Sequence, residues 1–159
     1  MADHSKILAF VAGCNDASKL KTLIKNAKKG GQHDVEEAAF KKLISLVPSE
    51  ERGTVAHELW QTILAFEHIL SEERGKTTLL ARTRQKLSRV SAEQTLADWA
   101  LGDSETKGFA MLLERNLPEL TGEAIVLRHA EEFDPSVVDA ARSRLVEAGV
   151  DVGRLPKQI

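Results

Sequence analysis

Apolar residues recur along the chain at the spacing of an α-helix. The first clear case is 17–29, where four apolar residues follow the i, i+3, i+4, i+7 pattern of one helix face: Leu20, Leu23, Ile24 and Ala27. A glycine pair ends this helix. A second helix over 35–47 begins after Asp34, which forms a capping box with the acid three residues later, and stops at Pro48. The pattern predicts a helical hairpin.

The segment 50–71 is apolar around more than half of a helical surface, which predicts the central buried helix. Ser49 stands at its expected N-cap. Helices with the same periodicity and with turn signals at their ends are predicted over 77–89, 92–101, 105–115, 121–130 and 135–148. We find no apolar–polar alternation of a strand's length. The pattern predicts an all-α fold of seven to eight short helices, in a compact bundle or a short superhelical stack of helical hairpins.

Specific cap signals mark two of these helices. Ser91 and Gln94 have the spacing of a capping box. Asp134 stands at an N-cap position before Pro135, and Gly149 is a natural C-cap for the same helix. These signals fix where the sequence predicts the helices to begin and end.

Length and composition predict one folded domain over residues 1–159, with a basic hairpin over 1–48 and a helical bundle over 49–159 as the alternative division. The chain is 42% hydrophobic and 29% charged, which is typical of a globular protein. No apolar run approaches the roughly 20 residues of a membrane span. Asp3 and His4 stand where a signal peptide has basic residues, so we expect a cytoplasmic protein without membrane contact.

The amino-acid composition argues against several kinds of functional site. Cys14 is the single cysteine, which excludes an intramolecular disulfide and cysteine-rich zinc sites. The chain has no tyrosine and only 4% aromatic residues, which argues against a stacking platform for single-stranded nucleic acid.

The net charge of −2 conceals an asymmetry between the two ends of the chain. Residues 92–159 contain 13 acidic and 7 basic residues, whereas residues 1–91 contain 11 acidic and 15 basic residues. This distribution predicts different partners for the two parts, or mutual attraction between them.

The string GKTT at residues 75–78 resembles the end of a phosphate-binding loop. A P-loop requires another glycine at position 70 and a preceding strand, whereas Leu70 stands there and the preceding residues are helical. We therefore interpret GKTT as the boundary between two helices.

A basic helix is the better interpretation of the same region. No acid lies between Glu73 and Glu93. On a helix, Arg82, Lys86 and Arg89 share one face, and like charges on one face repel unless an anion is near. We predict phosphate contacts from Lys76, Thr77, Thr78, Arg82, Arg84, Lys86 and Arg89, the threonines contributing hydroxyls and free amides at the helix start. The alternative is a solvated face, or one paired with the acidic part of the chain.

The first helix adds a second basic surface. Five lysines lie between Ala17 and His33 without an intervening acid: Lys19, Lys21, Lys25, Lys28 and Lys29. Lys25, Lys28 and Lys29 are predicted auxiliary phosphate contacts. The alternative is a solvated face whose last lysines complement the helix dipole.

A helix-turn-helix is compatible with the short turn between 77–89 and 92–101. The second of these helices has no basic residue and carries Glu93 and Asp98, which is unusual for a recognition helix. Phosphate contact by the first helix is the stronger prediction.

Catalytic and metal motifs are incomplete. His57 and Glu58 begin an H-E-x-x-H pattern, but Gln61 replaces its second histidine. No G-x-S-x-G is present. We predict no enzyme activity, no metal and no cofactor.

Three strings carry a resemblance: GKTTLLARTRQK, GFAMLLERNLPELTGEAIVLRH and FDPSVVDAARSRL. With them, the chain resembles an all-helical bacterial domain of uncharacterised role that occurs as a free-standing chain or beside DNA-acting modules. The resemblance implies a nucleic-acid context and supplies no catalytic residue.

Together these observations predict a non-enzymatic protein that binds nucleic acid, with DNA as the expected form, mainly through phosphates. The acidic C-terminal half is a candidate surface for a protein partner. The alternative is a protein-interaction scaffold without affinity for nucleic acid.

Overall fold

The first three helices of the chain pack together in the computed structural model, which describes residues 4–103 and 106–157. They are α1 (Ser5–Gly13), α2 (Ala17–Lys29) and α3 (His33–Leu46). α2 and α3 form the predicted hairpin, and Gly31 turns the chain between them with a φ of 68°, which favours glycine. With the residues that follow them, these helices form a compact unit, Met1–Ser49.

Two features of this unit differ from the sequence prediction. α1 was not predicted, because only Val11 of its apolar residues is buried and no side chain caps it. Asp34 does not cap α3, which begins at His33, two residues before the predicted start. The Nδ1 of His4 instead donates to both oxygens of Asp34, at 2.9 and 2.8 Å. This hydrogen bond is the main cause that lowers the pKa of Asp34 below its ordinary 3.8.

A second compact unit, Glu50–Ile159, contains the other helices of the described part of the chain. Its α-helices are α4 (Val55–Arg74), α5 (Ala81–Leu87), α6 (Ala92–Leu101), α7 (Lys107–Glu114), α8 (Gly122–Arg128) and α9 (Pro135–Glu147). Short 3-10 turns follow α7, α8 and α9. The described residues thus form nine α-helices and no strand, which confirms the all-α class with one helix more than predicted.

α4 is the central helix of this unit, as predicted. It contacts α6, α7 and α8, and 12 of its 20 residues are buried. Leu59 and Ile63 of α4 pack into one core with Leu96 of α6 and Ile125 of α8. Because α4 is enclosed on several sides, its polar residues are buried with its apolar ones.

Close helix packing in this unit depends on Gly108 of α7. A Cβ at this position would lie 2.7 Å from Cε1 and 2.8 Å from Cε2 of Phe66 in α4. Those distances are well inside van der Waals contact, so the absence of a side chain lets the two helices approach.

Several helix ends depend on caps. α4 begins at Val55 and not at residue 50, because the Oγ1 of Thr54, and not Ser49, accepts from the His57 amide at 3.2 Å. Ser91 caps α6 as predicted. Gly149 follows α9 with a φ of 84°.

Two predicted cap contacts are not made. Asp134 makes no side-chain cap bond to α9, although Pro135 occupies the first turn as expected. Gln94 bonds Asp98 through its side chain, so only the serine half of the predicted capping box is formed.

Two ion pairs lie inside the second unit. Glu58 bonds Arg128 at 3.3 Å and His129 at 2.7 Å, with 5% of the Glu58 and 4% of the Arg128 side chain exposed. Glu123 bonds Arg144, which also donates to the Trp99 carbonyl. Removal of one partner from such a pair would leave the other charge buried without its partner, which is costly.

Candidate nucleic-acid interface

The predicted helix over 77–89 is shorter in the structure, since α5 begins only at Ala81. α4 ends at Gly75, which adopts a φ of 68°, and residues 76–80 form an irregular segment before α5. The residues before GKTT belong to α4, which confirms the prediction that they are helical and do not form a strand. The predicted role of Thr77 and Thr78 as helix-start residues is wrong.

Two backbone amides of the segment 76–80 already donate hydrogen bonds to side chains of α4. The Thr78 amide donates to Ser71 Oγ at 2.8 Å, and the Leu80 amide donates to Glu67 Oε2 at 2.7 Å. The Thr78 hydroxyl donates to the Lys76 carbonyl. The Thr78 amide is therefore not free for a phosphate, whereas Thr77 is exposed.

Arg84 is half-buried and reaches the buried carboxylate of Glu67 in α4. Its Nε and Nη2 donate to the two oxygens of Glu67 at 2.8 and 2.5 Å, and its guanidinium lies 5.1 Å from the centre of the Trp60 ring. The hydrogen bonds to Glu67 raise the pKa of Arg84. Only 6% of the Glu67 side chain is exposed, so this carboxylate anchors both Arg84 and the segment 76–80.

Lys86 has an acidic partner on the neighbouring helix. Its Nζ lies 2.5 Å from Asp98 Oδ2, and Gln94 donates to the other oxygen at 2.8 Å. The hydrogen bond from Lys86 is the main cause that lowers the pKa of Asp98, and the hydrogen bond from Gln94 is the second. This pair lies at the surface, where an ion pair contributes little and exchanges readily.

Three predicted cations remain exposed: Lys76, Arg82 and Arg89. Within the described part of the chain, none of their side chains forms an ion pair or a hydrogen bond. Arg89 lies beyond the end of α5, so the predicted face of Arg82, Lys86 and Arg89 does not run along one continuous helix.

The basic surface of α2 is more regular. All five of its lysines are exposed, and the helix contains no acid. Lys21, Lys25, Lys28 and Lys29 stand at i, i+4, i+7 and i+8, next to the buried face that contains Leu20 and Ile24. Asp16 lies at the opposite end as the N-cap, where its carboxylate accepts from the Ser18 and Lys19 amides.

The histidines have structural partners. His57 Nδ1 bonds the Glu50 carbonyl at 3.0 Å. His129 lies between Glu58 and Glu132, with one carboxylate at each ring nitrogen. His129, Glu131 and Glu132 are the one group in the described ranges whose ligand atoms lie close enough together to hold a metal ion, but both nitrogens of the histidine are already engaged.

Sequence reasoning missed Glu67, the residue that organises this region. It is 17 residues from Arg84 along the chain, and helical periodicity places it on α4 without indicating its partner. An acid inside an otherwise apolar helix face is the signal that could have identified it.

Comparisons with models of protein families, with curated proteins and with solved structures found no match to this chain. The resemblance to a bacterial helical domain therefore stays a prediction. None of the helices formed by residues 4–103 and 106–157 is long and apolar enough to cross a membrane.

Proposed function

We propose that this chain binds nucleic acid, with DNA as the first candidate, through contacts to phosphates and without catalysing a reaction. The observation that supports the proposal best is the exposed lysine surface of α2, which carries five positive charges and no acid. Lysines four residues apart on a helix repel, and the phosphates of a nucleic acid relieve that repulsion.

The structure changes the relative importance of the predicted contacts. Arg84 is bound to Glu67, so we assign it to the folded structure and not to a phosphate. Lys86 would have to exchange Asp98 for a phosphate. The principal contacts in this proposal are therefore Lys76, Arg82 and Arg89 in the second unit, and Lys25 and Lys29 in the first. Lys28 lies beside Lys25 and Lys29 and already has an interaction within the chain, so it stays an auxiliary contact.

Binding through phosphates also agrees with the small number of aromatic residues in the chain. The sequence has two tryptophans, no tyrosine and 4% aromatic residues, and Trp60 is engaged by Arg84. Base stacking therefore has few candidate residues, whereas lysine and arginine contacts need none. We expect binding with little sequence preference and strong dependence on salt.

A protein-interaction scaffold is the second candidate. The pairing of Lys86 with Asp98 and of Arg84 with Glu67 favours it, because both neutralise cations inside the chain. In this alternative the acidic residues of 92–159 bind a protein partner and the lysines of α2 bind no phosphate.

A salt-titrated binding assay with labelled double-stranded and single-stranded DNA separates the two candidates. We expect Lys25→Glu/Lys29→Glu and Arg82→Glu/Arg89→Glu to weaken binding. If both replaced residues contact phosphates, each double variant should lower the salt slope for duplex DNA by about 1.8, since one contact contributes about 0.9.

A matched control is a double variant that changes the net charge by the same amount but lies in the acidic part of the chain. Arg142 and Lys157 are exposed, and Arg142→Glu/Lys157→Glu should alter the salt slope much less. Equal losses in all three variants would indicate a response to net charge alone. Absence of binding at low salt would contradict the proposal and favour the scaffold.

A further inference from the structure

A cavity of about 320 Å³ opens between α4, α6, α7 and the segment 76–80. Its walls are mainly apolar. Phe66, Leu70 and Met111 are buried, and Leu80 and Trp99 are half-buried. A cavity of this size and lining lies at the lower end of the range for small-molecule sites in proteins.

The charged side chains among the described residues that line the cavity are both positive. Arg74 and Lys107 line it, and both are exposed. Neither side chain forms an ion pair or a hydrogen bond with another described residue. None of the ten described residues that line the cavity is acidic. A ligand that suits this lining has an apolar body and a negatively charged group.

Contacts among and behind the lining residues hold the walls of the cavity in place. The Leu80 amide is bound by Glu67, which Arg84 fixes from the other side. Phe66 is held by its close approach to Gly108. Walls that are already ordered lose little conformational entropy when a ligand binds, which favours affinity.

From this lining we infer that the cavity is a binding site for a small amphipathic anion, namely a medium-chain carboxylate. Its alkyl chain packs against Phe66, Leu70 and Met111, and its carboxylate is neutralised by Arg74 and Lys107. The inference does not depend on nucleic-acid binding, since neither cation belongs to the phosphate contacts proposed above.

Isothermal titration of the full chain with hexanoate, heptanoate and octanoate, and with octan-1-ol as the neutral analogue, tests this site. Each added methylene should tighten binding about fourfold until the cavity is full, because burial of one such group contributes about 0.8 kcal/mol. Octan-1-ol should bind about tenfold more weakly than octanoate, because it forms no charge-assisted bond. The Met111 methyl signal should shift with octanoate in an NMR titration.

Two variants locate the ligand. Arg74→Gln/Lys107→Gln should weaken octanoate about tenfold and leave octan-1-ol unchanged. Thr83→Trp places a large ring at the cavity and should abolish binding of both ligands. The control Arg142→Gln/Lys157→Gln removes two exposed cations elsewhere and should change neither affinity.

Three results would overturn the inference. One is the absence of saturable octanoate binding. Another is equal affinity for octanoate and octan-1-ol. The third is an equal effect of the Arg74/Lys107 and Arg142/Lys157 substitutions. A melting-temperature measurement on each variant ensures that a loss of binding is not a loss of folding.

Discussion

Replacement of Glu58 should lower the stability of the second unit strongly even when the shape of the side chain is kept. Its carboxylate bonds Arg128 at 3.3 Å and His129 at 2.7 Å. Glu58→Gln keeps the length of the side chain and one acceptor oxygen but removes the negative charge. The substitution therefore isolates the contribution of charge from that of packing.

The expected loss follows from the position of Arg128. Only 4% of this side chain is exposed, and its Nη1 and Nη2 have no hydrogen-bond partner among the described residues. Burial already lowers the pKa of Arg128, which means that its charged form is poorly solvated. Removing one member of such a pair costs about 3–5 kcal/mol, and the glutamine oxygen places the loss at about 3 kcal/mol.

Urea unfolding followed by tryptophan fluorescence measures this loss. Trp60 and Trp99 are the two tryptophans of the chain and both lie in the second unit, so the signal reports the unfolding of that unit. A loss of about 3 kcal/mol corresponds to a fall of roughly 12 °C in melting temperature for a unit of this size. Glu131→Gln is the matched control, because Glu131 is exposed and should change stability by less than about 0.5 kcal/mol.

A second substitution makes the reasoning refutable. Arg128→Met should cost less than Glu58→Gln, because His129 remains to bind the carboxylate. The double variant Glu58→Gln/Arg128→Met should be more stable than Glu58→Gln alone, because no unpaired charge stays buried. If Glu58→Gln matches the Glu131→Gln control, or if the double variant is merely additive, the ion pair does not have the role assigned to it.

Two further predictions concern packing and titration. Gly108→Ala should lower the free energy of unfolding by about 1–3 kcal/mol, because the added Cβ meets the Phe66 ring. Phe66→Leu should cost less in the Gly108→Ala variant than in the parent protein. Urea unfolding of the parent, the two single variants and the double variant measures both effects. His4→Ala should raise the pKa of Asp34 toward 3.8 in a carbon-13 NMR titration. A lowered pKa favours the ionised folded form. The contribution of Asp34 to stability is therefore complete above pH 3.8 and is lost as the pH falls through its folded-state pKa. It should be smaller in His4→Ala, because the hydrogen bond to His4 is the largest cause of the lowered pKa.

Local patterns predict most of the helices but not their partners. α2, α6 and α9 follow from amphipathic spacing between turn signals, and these depend on residues close together in sequence. α1 lacks such signals, since it has no side-chain cap and one buried residue. Residues 77–80 of the irregular segment belong to the predicted helix 77–89, because Leu79 and Leu80 continue the apolar period of α5.

The site was less predictable than the fold, because its long-range contacts decide which cations face solvent. Arg82 and Arg84 are equivalent in a charge count, yet only Arg84 reaches the buried carboxylate of Glu67. The basic character of α2 needed no such contact, since a helix without acids exposes its lysines wherever its apolar face packs. Surface charge on one helix is therefore readable from sequence, whereas pairing between helices is not.

The segment 76–80 also has a consequence for the susceptibility of the folded chain to proteases. It offers Lys76 on an irregular stretch of backbone, next to Arg74 at the end of α4, and basic residues of this kind are sites for trypsin-like proteases. Its described anchors to α4 are the amide bonds to Ser71 and Glu67. Release of these bonds would present the stretch to a protease while the core of the unit stays folded. We therefore expect the carboxylate of Glu67, together with the Ser71 hydroxyl, to limit cleavage of the chain between α4 and α5.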